Sequence, residues 1–240
     1  HLDEPLAPFL ESNPYNNVYA LFSNKGLAFP YELGGECIEL ARRLKAIRER
    51  EGCLVQVVKT SFGHYALTVK RGTEWYYEDA GLLQKETVSM TPLQRGEAVR
   101  AEAYPNGNWL LLTPQGRTHV DVKRLREGSN NHDPMGRFDQ ERGSILPSPY
   151  NRAVAGVKRG SLLLTKIEGG EFLRLERDVS TRTFTAESVG GSRDRRVQSE
   201  GYSSFIMTAA ERIGEKANLR PAEVLGYLDH AAVLYKELLA

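Results

Sequence analysis

A chain of 240 residues with 40% apolar content can bury a sizeable core, as one large or two modest domains. Its 32 basic and 31 acidic residues leave a formal charge of +1, which excludes a global field drawing it to nucleic acid or an anionic membrane. Apolar runs such as Trp109 to Thr113 fall far short of the ~20 residues that span a bilayer, and no leader-like pattern of basic and apolar residues opens the sequence. Two cysteines, Cys37 and Cys53, are too few for a disulfide framework or a four-thiolate zinc site, so a soluble protein of the reducing cytoplasm, without a metal, is expected.

Residues 1–33 are rich in turn formers, among them Asn13-Pro14 and Asn24-Lys25-Gly26. Gly34-Gly35 then opens a pattern in which Ile38, Leu40, Ala41, Leu44 and Ile47 alternate with charged positions until Gly52, which predicts an amphipathic helix of about four turns. From Cys53 the period becomes strand-like over Leu54 to Val58, His64 to Lys70 and Glu74 to Glu78, then over Val99 to Tyr104, Asn108 to Thr113 and His119 to Val122. Proline, asparagine and glycine separate the later three, as antiparallel meanders require. Residues 126–150 are polar and turn-rich and predict a long loop. Further strands are expected at Ala153 to Gly156, Ser161 to Ile167, Phe172 to Glu176 and Thr183 to Glu187, and another loop at Gly190 to Arg196. The end is helical: Ser203 to Asn218, then a helix with Pro221 in its first turn and an apolar stripe of Val224, Leu225, Leu228, Ala231, Ala232, Tyr235 and Leu238. The division follows: a helical subdomain 1–52 with Cys37, a β subdomain 53–125 with His64 and Asp79, a loop 126–150, and strands and helices over 151–240.

Cys37 falls at the first turn of the predicted helix, where unpaired N–H groups and the helix dipole stabilise a thiolate. Taken by itself a free cysteine is more often a core filler, so the downstream hairpin decides. With Arg71-Gly72 as its turn, His64 faces Asp79, Ala66 faces Tyr77 and Thr68 faces Trp75, while Glu74, Tyr76 and Glu78 take the other face. Opposed Cβ atoms lie about 5 Å apart, so the carboxylate can accept a hydrogen bond from the imidazole and leave the second ring nitrogen for a thiol. A purely structural buried pair is the alternative. Nucleophile, base and orienter thus run in the order Cys, His, Asp, which suits acyl transfer through a thioester.

At these residues the sequence resembles the arylamine N-acetyltransferase family, whose signatures are Arg-Gly-Gly-x-Cys-x-Glu, His-x-x-Leu and Asp-x-Gly. Here they read Gly34-Gly35-Glu36-Cys37-Ile38-Glu39, His64-Tyr65-Ala66-Leu67 and Asp79-Ala80-Gly81. Thr91-Pro92-Leu93 and Ser148-Pro149-Tyr150-Asn151 are similar more loosely. The resemblance implies an α+β fold with a papain- or transglutaminase-like core: a helical first subdomain carrying the nucleophile at a helix start, an antiparallel β-barrel, and a third α/β subdomain as lid over the acyl-donor cleft. It implies Cys37, His64 and Asp79 as catalytic residues, with the backbone N–H of Cys37 helping to hold the oxyanion. It further implies an amine acceptor and an acyl-CoA, typically acetyl-CoA, as co-substrate, with no permanently bound cofactor. Leu33 stands where the family has arginine, so an ion pair there should be missing or replaced, and Leu82 replaces an aromatic residue.

His119, His132 and His230 lack triad or metal-ligand spacing and read as surface or structural residues. The Arg193, Arg195 and Arg196 cluster reads as a solvated basic loop, with the phosphates of coenzyme A as its alternative partner. Cys53 reads as a small apolar filler, and Trp75 and Trp109 as barrel packing. Three functions fit: an acyltransferase taking an acyl group from acyl-CoA or a carrier-protein thioester to a small amine, a cysteine hydrolase or transglutaminase-like amidase using the same triad, and a non-catalytic binding protein on this fold. Exclusion of water separates the first two.

Overall fold

The computed structural model describes residues 6–127, 132–144, 160–191 and 194–239. In chain order the first elements are α1 (Ala7–Ser12), α2 (Tyr19–Asn24), α3 (Cys37–Arg50), β1 (Leu54–Lys59), β2 (Tyr65–Arg71), β3 (Glu74–Glu78), β4 (Val88–Ser89) and α4 (Thr91–Gln94). Then come β5 (Val99–Ala103), β6 (Asn108–Gln115), β7 (His119–Arg126), β8 (His132–Asp139), β9 (Ser161–Glu168), β10 (Glu171–Asp178), β11 (Phe184–Val189), β12 (Arg195–Ser199), α5 (Ser204–Gly214) and α6 (Pro221–Leu239). The fold is mixed α+β, with a helical N-terminal region and antiparallel sheets, as expected.

The chain divides into two compact units, one of residues 1–10 and 37–146 and one of residues 11–36 and 147–240. In the first, α3 packs on β1 and β2. Two four-stranded meanders, β1-β2-β3-β4 and β5-β6-β7-β8, enclose a core that includes Val58, Ala66, Tyr77, Leu110, Val120 and Phe138. Period-2 alternation makes this possible: β6 buries Asn108, Leu110 and Leu112 and turns Trp109 and Leu111 outward. Trp109 therefore lies under the Arg100 guanidinium, 4.0 Å from its ring centroid, rather than in the core, whereas Trp75 packs against the core.

The expected barrel is not closed. Isolated backbone bonds join the two sheets at their margins: Lys85 N–H to Glu102 O (2.8 Å) and Tyr104 N–H to Leu83 O (2.9 Å) on one side, Ser61 N–H to Arg137 O (2.8 Å) on the other. The strand β8 lies inside the segment expected as a long loop, residues 126–150; its exposed, proline-bearing sequence hides the alternation that marks the other strands. The helices α1 and α2 were equally hidden among turn formers, because six-residue helices are too short to show a period. Residues 153–156 and 148–151 lie outside the described residues.

In the second unit β12-β11-β10-β9 form one antiparallel sheet, and β12 begins within the expected loop at Gly190 to Arg196. Leu162, Leu164, Leu173 and Leu175 from the sheet meet Ile206, Ala210 and Ile213 of α5 and Val224, Leu225, Leu228 and Ala231 of α6. The α6 stripe is thus core as read, except that Leu238 is exposed and Leu234 is buried instead. Leu33, at the position where the resemblance calls for arginine, is buried in this cluster beside Val18, Leu21 and Phe22, so apolar packing replaces the ion pair.

Beneath α3, Glu78 at the end of β3 is completely buried and takes Arg48 Nε and Arg71 Nη2, each at 2.9 Å. Burial pushes the Glu78 carboxyl up against the pull of both guanidiniums. Removing one partner of such a pair strands the other charge. Glu78→Ala should lower the unfolding free energy by about 3 to 5 kcal/mol, and the double variant Arg48→Met/Glu78→Met should recover more than half of the loss in urea denaturation.

Candidate active site

Just before α3, Gly34 adopts φ +82°, and a Cβ there would sit 1.6 Å from Pro14 O. Only glycine lets the strand segment at Tyr15 bridge to Gly35 and the Gly35 N–H donate to Pro14 O (3.1 Å). This turn delivers Cys37 as the first residue of α3, half-buried, where the first-turn N–H groups have no helical partner. Glu39, two residues on, is held by Arg42 Nη1 (2.6 Å) and Arg43 Nε (3.2 Å) of the same helix, a structural pairing.

The β2–β3 ladder pairs Arg71 with Glu74, Thr68 with Tyr77 and Leu67 with Glu78. The turn is therefore Gly72-Thr73 instead of Arg71-Gly72, and the expected opposition of His64 to Asp79, Ala66 to Tyr77 and Thr68 to Trp75 is displaced by two residues. A displacement of two keeps every side chain on its face. His64 and Asp79, just beyond the ends of β2 and β3, still share a face and meet diagonally: His64 Nε2 lies 2.9 Å from Asp79 Oδ1 and 2.8 Å from Oδ2. Gly81 takes the space by His64. A Cβ on Gly81 would lie 2.5 Å from Cys37 Cβ and 2.9 Å from His64 Cε1.

Asp79 has no solvent exposure. Besides His64 it receives the Tyr77 hydroxyl on Oδ2 (2.6 Å) and the Leu82 N–H on Oδ1 (2.9 Å). Gln84 fixes its backbone, accepting the Asp79 N–H (2.9 Å) while donating its own N–H to Asp79 O (3.0 Å). The His64 backbone is pinned through Thr60, whose Oγ1 accepts its N–H (3.2 Å). Burial opposes the charged imidazole, but the charge and hydrogen bond of Asp79, and the hydrogen bond and charge of Cys37, outweigh it and raise His64 to about 10. Both partners thus favour the protonated ring. Since Nε2 is committed to Asp79, Nδ1 is the nitrogen available to the thiol. The three residues singled out by spacing are together, with Tyr77 and Gln84 added. Tyr77, two residues before Asp79 on one strand, was on the right face; Gln84 sits in a loop where no periodicity reveals it.

The remaining candidates lie elsewhere. Cys37 and Cys53 are free thiols at opposite ends of α3, roughly 20 Å apart by helical rise, so the helix itself prevents them from pairing. His119 bonds Thr118 Oγ1 (3.0 Å), His132 is exposed in β8, and His230 packs edge-on against Phe22. Arg193 lies outside the described residues, Arg195 covers the Phe205 ring at 4.2 Å, and Arg196 pairs across the sheet with Glu187. Among the described residues, no group of three His, Cys, Asp or Glu side chains converges as a metal site, and no helix is long and apolar enough to cross a membrane.

A fold in which a helix start faces a hairpin carrying histidine and aspartate defines a class of structure, and comparison identifies it as the fold of the arylamine N-acetyltransferases. An arylamine N-acetyltransferase variant from Mycobacterium smegmatis superposes with a TM-score of 0.58 at 12% identity, over 95% of this chain and 88% of that one. The enzyme from Salmonella typhimurium gives 0.57 at 13% identity, over 91% and 86%. That of Mycobacterium marinum in complex with CoA gives 0.51 at 12% identity, over 95% and 91%. No family profile and no curated protein sequence matches the chain.

Two outcomes test this geometry. Gly81→Ala should wedge Cys37 from His64 and slow alkylation of Cys37 by iodoacetamide at least tenfold, with a far-UV spectrum like that of the parent. A histidine whose pKa is raised on folding stabilises the fold fully below its unfolded value and loses that contribution as pH climbs through the folded one. Urea stability should therefore fall between about pH 6.5 and 10, and His64→Gln should flatten the slope in that window.

Proposed function

We propose that this chain is an acyltransferase that moves an acetyl or other acyl group from a CoA or carrier-protein thioester to a small-molecule amine, through a thioester on Cys37. The observation that carries the reading is the buried imidazole of His64, shared between Asp79 and the Cys37 thiol. The fold and the CoA bound to the Mycobacterium marinum enzyme support an acyl-CoA donor.

His64 holds the proton of Cys37, leaving a thiolate beside an imidazolium. The thiolate attacks the donor carbonyl, and the N–H of Cys37 at the start of α3 donates to the oxyanion. Collapse breaks the carbon–sulfur bond to the donor, whose departing sulfur takes the proton from His64. The acceptor amine then attacks the enzyme thioester, His64 removes its proton, and expulsion of the Cys37 thiolate releases the amide with the site restored. Asp79 stays ionised throughout and holds the ring in one tautomer.

Intact mass spectrometry with a panel of acyl-CoA thioesters, from acetyl to medium chain, tests the reading. An acyl increment should form, vanish in Cys37→Ala, form at least a hundredfold more slowly in His64→Gln, and leave faster with an aryl, hydrazine or alkyl amine than with water. Faster loss to water puts the hydrolase reading first. A Cys37 that alkylates readily yet takes no acyl group from any thioester puts the amidase reading first, and an inert Cys37 a binding protein.

A further inference from the structure

Tyr77 is a phenol where packing asks only for a phenyl ring. It belongs to the central strand β3, between Thr68 of β2 and Val88 of β4, and its ring stacks on Phe138 with centroids 5.5 Å apart and planes 12° from parallel. No part of it reaches solvent, and its surroundings include Ala66, Leu110, Leu112 and Val120. In such a cluster a hydroxyl without a partner costs about 1 to 3 kcal/mol relative to phenylalanine. Its partner here is Asp79 Oδ2, at 2.6 Å, the same oxygen that lies 2.8 Å from His64 Nε2.

The geometry points to Tyr77 as a positioning residue of the Cys37-His64-Asp79 site, whose hydroxyl fixes the Asp79 carboxylate and competes with the imidazolium of His64 for Oδ2. This deepens the acyltransferase reading and rests on it. A carboxylate spreads its charge over the donors it accepts. The phenolic O–H and the Leu82 N–H each take a share on one oxygen, so less of the anion's field falls on the ring. Among the described residues, the ionisable groups facing the pair are Cys37 from α3 and Tyr77 from β3; Gln84 and Phe138, also in contact with this strand, are uncharged. Burial and the neighbouring Asp79 hold the Tyr77 hydroxyl well above its ordinary range, so it remains a donor at any working pH. The reaction asks His64 to give a proton to the leaving sulfur and take one from the amine, and a ring held too tightly by its carboxylate does both poorly. Tyr77 loosens that hold without moving the ring.

The test is a titration of His64 in this 240-residue chain, labelled with 13C and 15N histidine, the signal assigned by its loss in His64→Gln. In Tyr77→Phe the His64 midpoint should rise by about 0.5 pH unit or more, since a donor to the carboxylate has gone. Trifluorotyrosine at position 77, which keeps the ring and donates more strongly, should lower it; this second variant decides the matter if Tyr77→Phe fails to fold. Acylation of Cys37 by an accepted acyl-CoA should shift its pH dependence in the same directions, with little change in KM. A His64 midpoint that moves with neither substitution, or that falls in Tyr77→Phe, overturns the assignment and leaves the hydroxyl structural. If no thioester ever acylates Cys37, the acyltransferase reading fails while the histidine titration still decides the role of Tyr77.

Discussion

A carboxylate with no access to water must find all its hydrogen bonds inside the protein, and Asp79 is that group here. Two of its donors are local, the Leu82 N–H and the Tyr77 hydroxyl, and the third is the imidazole of His64 on the neighbouring strand. Satisfying it therefore fixes the end of the β2–β3 hairpin, the loop that follows and the orientation of one histidine ring. Gln84 closes the arrangement by holding the aspartate backbone at both its N–H and its carbonyl.

His64 in turn faces the start of a helix. A thiol beside an imidazolium at the first turn of a helix has two positive influences acting on its sulfur, one from a side chain and one from unpaired backbone N–H groups. The close fit at Gly81 brings the three elements to contact distance, since any side chain there would occupy the space between Cys37 and His64. The ion pair of Glu78 with Arg48 and Arg71 lies on the opposite face of the same hairpin and ties it to the far end of α3. Both faces of β3 thus anchor ionisable groups.

The long periodic elements were legible in the sequence: α3, the strands of the β2–β3 hairpin and the stripe of α6 follow from spacing alone. The two short N-terminal helices and β8 were not, the first because a six-residue helix shows no period and the second because its exposed face breaks the alternation. His64 and Asp79 of the candidate site were legible because face is a matter of parity, and Cys37 because it opens a helical period after Gly34-Gly35. The turn was not, because Arg71-Gly72 and Gly72-Thr73 are both acceptable hairpin centres and only the pairing of Arg71 with Glu74 distinguishes them. The closed barrel failed for a different reason: sequence marks strands and turns, whereas closure depends on whether margins meet in a ladder or through single bonds such as Ser61 to Arg137.

The diagonal meeting of His64 and Asp79 has a bearing on ancestry. A hairpin can gain or lose residues in pairs across its turn and still present both side chains to one face, whereas a single insertion turns one of them away. Descent can therefore lengthen or shorten this hairpin in steps of two while selection preserves the pair. The number of residues separating histidine from aspartate is then a poor ruler for recognising remote kin, and whether that number is odd or even is a better one.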